Sequence, residues 1–332
     1  MILACKALRL LLVGAVLLAG SVFASDRQDR NLIAGARSGS LEQMASAIAN
    51  GANVNARTEH GVTALMEAVR SDFRGPRPAS ETELVAFLLY YGANVNARDN
   101  TGGTALIRAA QWGQEPEVLS LLLEAGADVN ARPRQGRMAL VAAAGRSEDA
   151  EVRTRLLLEA GADVNALDPS YITPLMTAVT GNNQNPEVVR LLLDAGADVN
   201  AREDSAVLRA ARNPVSEMMR LLLDAGADVE ARDPQYDFTP LMHAAAANRN
   251  PEVARLLLDA GADVNARNSH DLTPLLLAAM HNGPEVMQLL LDAGADLDAR
   301  DKSNRTVLGE AQKNSRIHGT DLYWQLHDAS FD

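Results

Sequence analysis

The stretch that decides the fold is residues 186–202, which read PEVVRLLLDAGADVNAR. Its second half is a phrase on the pattern Gly-Ala-Asp-Val-Asn-Ala-Arg. Near copies of that phrase begin at eight glycines, Gly51, Gly92, Gly126, Gly161, Gly196, Gly226, Gly261 and Gly294. Successive copies are 41, 34, 35, 35, 30, 35 and 33 residues apart. Self-similarity at such a period indicates an array of small repeated units.

A leucine-rich segment before the phrase is typical of a helix. In residues 186–193, Val188, Leu191 and Leu192 share one face, because residues three and four apart are neighbours on a helix. Val189 and Leu193 cover a second face, which predicts a helix wedged between neighbouring units. The glycine that follows supplies the left-handed residue that ends such a helix, and the chain then runs extended toward the next turn.

A second phrase, Thr-Pro-Leu or a near copy, predicts another helix in each unit. It occurs at residues 63–65, 104–106, 173–175, 239–241 and 273–275, with weaker forms at 138–140, 206–208 and 306–308. Threonine is a good N-cap, because its hydroxyl accepts a hydrogen bond from a free amide of the first turn. Proline at the next position has a φ angle that suits a helix start.

Together these phrases resemble the ankyrin repeat, a β-turn finger followed by two antiparallel helices in about 33 residues. The resemblance covers residues 28–332 and implies a mostly α fold, an ankyrin-repeat solenoid of helix-turn-helix units with β-turn fingers. One departure concerns the family's histidine after Thr-Pro-Leu. Apolar residues replace it at Met66, Ile107, Val141, Met176, Met242 and Leu276, and we expect a weaker tie between finger and helix.

The domain organisation follows from the phase of the repeats. We expect a signal peptide at 1–24 and an ankyrin-repeat domain at 25–332, with an N-terminal cap at 28–57, seven internal repeats at 58–300 and a C-terminal capping repeat at 301–332. The insertion from Asp72 to Ser80 should project between the helices of its unit. In the 30-residue unit the finger has lost residues around Glu203 to Ser205. Trp324 falls where a leucine triplet belongs and is expected to be buried.

The first 24 residues have the parts of a secretory signal. Lys6 and Arg9 form a basic segment, residues 10–24 carry no charge, and cleavage is expected before Ser25. The uncharged run is 15 residues long, shorter than the roughly 20 apolar residues of a spanning helix, so a cleaved signal is favoured over an anchor. Cleavage would also remove Cys5, the single cysteine. The sequence predicts a periplasmic or secreted protein.

Composition and motifs argue against several functional classes. The chain has 31 Lys+Arg against 43 Asp+Glu, a formal charge of −12, and such a surface repels nucleic acid backbones. One cysteine excludes an intrachain disulfide framework and a CxxC zinc site. GxSxG, HExxH, P-loop and GxGxxG motifs are absent from the sequence, and the six histidines are expected to be solvent-exposed. We therefore expect no catalytic residues, no metal and no cofactor.

Function is expected where the repeats differ, at the finger tips and the exposed ends of the first helices, which line a concave face. Aromatic residues and arginine are enriched at binding hot spots. The predicted partner-binding residues are Arg70, Trp112, Arg134, Arg137, Arg146, Tyr171, Tyr236, Phe238, His270 and His281. For the four aromatic residues the alternative is local packing on a neighbouring finger. Three other aromatics, Phe87, Tyr90 and Tyr91, are interpreted as packing residues.

A row of arginines at one repeat position is interpreted as structural or solvated rather than as a functional basic stripe. Its members are Arg57, Arg98, Arg132, Arg202, Arg232, Arg267 and Arg300.

The favoured hypothesis is an exported, non-enzymatic, monomeric scaffold that binds another protein, with no nucleic acid partner and no membrane contact after signal cleavage. Resemblance to bacterial exported members of the family implies a protective or inhibitory role toward that partner. The alternatives are a membrane-tethered scaffold, a secreted effector and, less favoured, an enzyme with an unrecognised site.

Overall fold

The computed structural model describes residues 26–69, 78–113, 115–145, 149–180, 185–201 and 205–329. Across these ranges the backbone forms 18 helices and two isolated antiparallel bridges, with no extended strand. No helix within them is long and apolar enough to cross a membrane. The predicted solenoid of helix-turn-helix units is confirmed.

The first compact unit ends at Ile172. Its helices form four pairs: α1 (Asp26–Ser38) with α2 (Leu41–Ala49), α3 (Ala64–Ala68) with α4 (Glu81–Tyr90), α5 (Ala105–Trp112) with α6 (Glu117–Glu124), and α7 (Ala139–Ala144) with α8 (Ala150–Glu159). First helices stack on first helices, from α1 through α3 and α5 to α7, and second helices stack from α4 through α6 to α8. The insertion at residues 72–80 falls between α3 and α4, and its residues 72–77 lie outside the described residues.

The second compact unit begins at Thr173. It holds five pairs: α9 (Pro174–Ala178) with α10 (Pro186–Asp194), α11 (Ala206–Ala210) with α12 (Ser216–Asp224), α13 (Pro240–Ala247) with α14 (Pro251–Asp259), α15 (Pro274–His281) with α16 (Pro284–Asp292), and α17 (Val307–Lys313) with α18 (Asp321–Ala329). First helices again stack on first helices and second on second. Within each unit, consecutive pairs therefore pack side by side, in agreement with the two apolar faces in the sequence.

The predicted helix signals have the expected geometry. The Thr173 hydroxyl accepts a hydrogen bond from the Met176 amide at 3.1 Å, and Pro174 occupies the first turn. Equivalent threonine caps start α3, α5, α13, α15 and α17. Gly196, just past the end of α10, has a φ of +87°, a left-handed conformation that a side chain would disfavour.

The six apolar residues at the place of the family's histidine are all buried, as expected. The expected weakening of the finger, however, is offset by other side chains. Asp99 of one finger pairs with Arg108 of α5 at 2.8 Å, and Asp233 of another pairs with His243 of α13 at 2.8 Å. These two fingers are thus tied to their first helices through the residue at the finger base.

An exposed asparagine ladder joins consecutive repeats within each unit. The Asn96 amide nitrogen donates to the Gly126 carbonyl at 2.9 Å, and its oxygen accepts from the Asp128 amide at 2.7 Å. Asn55, Asn130, Asn200 and Asn265 form the same pair of bonds with the repeat that follows. A single side chain therefore sets the spacing between two glycine turns.

A second, buried ladder runs through the second unit at the ends of its first helices. The side-chain nitrogen of each asparagine donates to the backbone carbonyl of the asparagine one repeat earlier. The distances are 2.8 Å from Asn248 to Asn213, 2.8 Å from Asn282 to Asn248 and 2.9 Å from Asn314 to Asn282. Asn213, Asn248 and Asn282 are at most 4% exposed. In the first unit the fully buried Arg153 has a similar role, donating to the carbonyls of Ala109 and Gly113.

The arginine row is structural where its contacts are described, in agreement with its interpretation from the sequence. Arg98 donates to the Arg132 carbonyl at 2.8 Å, Arg232 to the Arg267 carbonyl at 3.0 Å and Arg267 to the Arg300 carbonyl at 3.3 Å. Each guanidinium therefore links its finger to the next one. Arg202 lies outside the described residues.

Two aromatic assignments were wrong. Tyr90 is 74% exposed at the end of α4, whereas Phe87 is buried. Trp324 is 51% exposed on α18, because its neighbours Leu322 and Tyr323 face the core instead. The buried residues of α18 are Leu322, Tyr323 and Leu326, which have the spacing of the buried Val188, Val189 and Leu192 in α10. Trp324 therefore stands at an exposed position of the repeat and not within its leucine triplet.

We predict that Asn248→Ala lowers the free energy of unfolding by about 2–3 kcal/mol, because it leaves buried backbone carbonyls without donors. Asn200→Ala, which removes an equivalent but exposed pair of bonds, should cost about 1 kcal/mol or less. Urea unfolding followed by circular dichroism measures both. Equal losses would show that burial of the ladder contributes nothing.

Candidate functional site

The finger tips of the first unit are joined to one another by backbone hydrogen bonds. The Asn100 amide donates to the His60 carbonyl at 3.0 Å, and the Arg134 amide donates to the Thr101 carbonyl at 2.7 Å. Gly102 allows this approach, since a Cβ there would lie 2.9 Å from the Arg134 nitrogen. The tips therefore form a continuous ledge and not a set of independent loops.

Four predicted binding residues of the first unit are exposed. Trp112, at the end of α5, is 42% exposed and Tyr171 is 64% exposed. Arg134 and Arg137 are exposed on the finger that precedes α7. Arg70 and Arg146, which were also predicted to bind, lie outside the described residues.

A groove lies between the last two fingers of the first unit. Its volume is about 320 Å³, and its lining includes Pro133, Met138, Pro169 and Tyr171 beside Arg132. Tyr171 is held at a φ of +61°, an uncommon conformation for an aromatic residue. The groove is a shallow recess with apolar walls, and both Arg132 and Asp168 line it.

In the second unit, one carboxylate shapes the finger that carries Tyr236 and Phe238. Asp233 accepts hydrogen bonds from the backbone amides of Gln235 at 2.9 Å, Tyr236 at 2.7 Å and Phe238 at 3.2 Å. The Tyr236 carbonyl in turn accepts from the Asn268 side chain at 3.0 Å. Both ends of this tip are therefore fixed before any partner arrives.

His243 contradicts the expectation that the histidines are solvent-exposed. It is 3% exposed, and its Nε2 lies 2.8 Å from an Asp233 carboxylate oxygen. On its other side, Arg212 Nε and Nη2 lie 3.2 Å and 3.0 Å from Nδ1. The imidazole bridges a finger carboxylate and an arginine of the preceding repeat, which spacing within one repeat could not indicate.

The aromatic residues of this finger divide between the two alternatives left open by the sequence. Tyr236 is 48% exposed. Phe238 is half-buried, with ring centroids 5.8 Å from Tyr236 and 5.3 Å from His243. Phe238 therefore packs locally and supports Tyr236, which presents its ring to solvent.

The two remaining predicted residues, His270 and His281, are exposed. The His270 carbonyl accepts from the Lys302 amide at 3.1 Å, which joins its finger to the next one. His281 ends α15. Among the described residues no group of three His, Cys, Asp or Glu side chains is arranged to hold a metal ion.

Three finger carboxylates have perturbed acidity. Burial, the largest single influence, raises the pKa of Asp99, but hydrogen bonds from Arg108, from the Thr101 hydroxyl and from backbone amides outweigh it, so the pKa lies below the ordinary 3.8. Burial also raises the pKa of Asp233, but hydrogen bonds from backbone amides and the charge of His243 lower it further. For Asp301, hydrogen bonds from Arg305 and the charge of its guanidinium likewise outweigh burial and lower the pKa. All three groups favour the charged form in the folded state.

Comparison with known families identifies the repeat. A family model described as ankyrin repeats (3 copies) matches residues 32–133, 131–203 and 200–268, and one described as ankyrin repeat matches residues 270–302. The matches span most of the chain. No curated protein matches it with significant similarity.

We predict that acid destabilises the protein through these carboxylates. A lowered pKa contributes stability that is complete above the unfolded value of 3.8 and is lost as the pH falls through the lower folded value. Asp99→Asn should therefore be less stable than the parent at pH 7 and lose less on acidification. Urea midpoints at pH 7 and pH 3 measure the difference, with Asp194→Asn, on the exposed end of α10, as control. An unchanged pH dependence in Asp99→Asn would contradict the assignment.

Proposed function

Because the chain belongs to the ankyrin-repeat family, whose repeats support protein–protein interaction, we propose that it is a non-enzymatic scaffold. Its partner is another protein, which contacts the finger tips and the adjoining ends of the first helices in each unit. The observation that carries this proposal is the exposure of large aromatic rings at those positions: Trp112, Tyr171 and Tyr236.

The chemistry of these positions supports binding. The chain has 12 aromatic residues. Of the five aromatic side chains that are exposed among the described residues, three belong to fingers or to the ends of first helices. Tyrosine, tryptophan and arginine dominate hot spots, since they bury much surface for little loss of side-chain freedom. Arg134 and Arg137 lie on the finger that precedes α7 and add charge to the same face.

The rigidity of the fingers also supports binding. Backbone bonds join neighbouring tips in both units, and side-chain bonds to Asp99 and Asp233 determine the turn conformations. A surface ordered in advance loses less conformational freedom when a partner docks.

We further propose that the scaffold is exported and acts on its partner in a periplasmic or extracellular compartment, as a protective or inhibitory factor. The basic segment and the uncharged run before Ser25 support export. Loss of Cys5 on cleavage would leave a chain without thiols, which suits an oxidising compartment.

Intact-mass analysis of the protein from its native host tests export. We expect a mature chain that begins at Ser25, recovered from the periplasmic or culture fraction. A chain that begins at Met1 would support a membrane tether in place of cleavage.

Partner capture tests the binding face. We expect the triple variant Trp112→Ala, Tyr171→Asn, Tyr236→Ala to lose at least about tenfold in affinity for the main partner retained by the parent protein, since each lost aromatic hot spot costs about 1 kcal/mol or more. Asparagine is chosen at position 171 because it tolerates the left-handed backbone.

The matched control for capture is Tyr90→Ala, which removes a more exposed ring from a second helix. It should retain the partner. Equal retention by the triple variant would move the binding site away from the fingers, and circular dichroism establishes that each variant is folded.

A further inference from the structure

Arg212 is oriented by an unusual neighbour. It follows α11, and its Nε and Nη2 point at His243 Nδ1 from 3.2 Å and 3.0 Å. A guanidinium can only donate, so Nδ1 must accept. The imidazole proton is then on Nε2, which donates to the Asp233 carboxylate at 2.8 Å. This contact holds the Arg212 guanidinium in one orientation against the imidazole of His243.

The charge of Arg212 is consequently not neutralised by direct contact. Arg108 and Arg305 each meet a carboxylate oxygen, at 2.8 Å and 2.6 Å, whereas no carboxylate in the described ranges lies within ion-pair distance of Arg212. Asp233 is on the far side of the imidazole, where its oxygens already accept from His243 and from finger amides. Arg212 itself is exposed.

A small cavity opens beside this guanidinium. Its volume is about 180 Å³, and its walls include Leu208 of α11 with Pro234 and Tyr236 of the finger. Arg212 lines the cavity together with Arg209 and Asp233, and the Arg212 guanidinium is the cationic group that an incoming carboxylate would meet. The space suits one side chain of modest size and excludes a bulky ligand.

We propose that this cavity is a specificity site, in which Arg212 binds the carboxylate of a Glu or Asp side chain of the partner protein. The inference rests on the proposed scaffold function and adds to it the chemistry of one contact. An arginine held in one orientation forms strong, directional hydrogen bonds to a carboxylate. The apolar wall of Tyr236 covers the methylene stem of the incoming side chain. Because the chain carries a net charge of −12, an acidic segment is disfavoured over much of its surface, and the Arg212 contact therefore selects the register in which that segment docks.

The test uses the full mature chain, residues 25–332, and a defined probe, the peptide acetyl-Ala-Glu-Leu-Glu-Ala-amide. Its matched control replaces both glutamates with glutamine. Nitrogen-15 NMR of the histidine side chains follows binding, because an anion on Arg212 changes the hydrogen bond to His243. We expect the glutamate peptide to bind at least about tenfold more tightly than the glutamine peptide and to shift the His243 resonances.

Variants separate the arginine from general electrostatics. Arg212→Gln should lose the preference for glutamate, and Arg212→Lys should keep only part of it, since lysine cannot form the two parallel bonds. Arg255→Gln makes the same charge change on α14, where Arg255 pairs with Glu252 at 3.4 Å, and should leave the preference intact. Thermal unfolding of each variant verifies that it is folded.

Three outcomes would overturn the inference: no binding of the glutamate peptide at millimolar concentration, equal affinities for both peptides, or a preference that survives Arg212→Gln. Competition by sodium acetate at the peptide's own concentration would likewise identify a site for small carboxylates instead of a protein segment. These failures are distinct from failure of the scaffold function, because a partner captured equally by Arg212→Gln and by the parent would remove only this contact.

Discussion

The structure depends on hydrogen bonds between an asparagine side chain and the backbone of the neighbouring repeat. In a solenoid each repeat contacts only the repeats next to it, so its spacing and tilt are set by its neighbours. Apolar contacts between the short helices stabilise the fold, but they do not fix the relative position of two repeats. The two hydrogen bonds of the Asn96 side chain to the turn at Gly126 do fix it, because both the donor and the acceptor must align. The buried chain from Asn213 to Asn314 imposes the same alignment inside the second unit.

The fingers are ordered as well, because the residue at the base of a finger binds the backbone of that finger. Asp233 gathers three finger amides and the imidazole of the next first helix. The backbone of the tip is satisfied internally, so its side chains are left to face solvent. Tyr171 and Tyr236 are exposed for that reason. A rigid ledge with aromatic rings on it is the property that connects the fold to the binding role.

Much of the fold was predictable from residue types at a fixed period. Threonine caps such as Thr173 and the left-handed Gly196 depend on interactions within a few residues of the chain, which local sequence specifies. Assignments failed where a contact joined two repeats or where the period broke down. His243 was expected in solvent, but its partners Asp233 and Arg212 belong to different repeats. Trp324 was assigned by phase to the core, yet it is exposed, because Leu322, Tyr323 and Leu326 supply the buried face of the last helix.

The sequence alone determined the repeat, its two helices and the positions at which neighbouring units differ, because these follow from local propensity and apolar periodicity. Tertiary structure decided which of the differing residues are exposed, since burial depends on the neighbour's backbone. It also decided the contacts of His243 and the orientation of Arg212, because Arg212 lies 31 positions before His243 and only the stacking of two repeats brings them together.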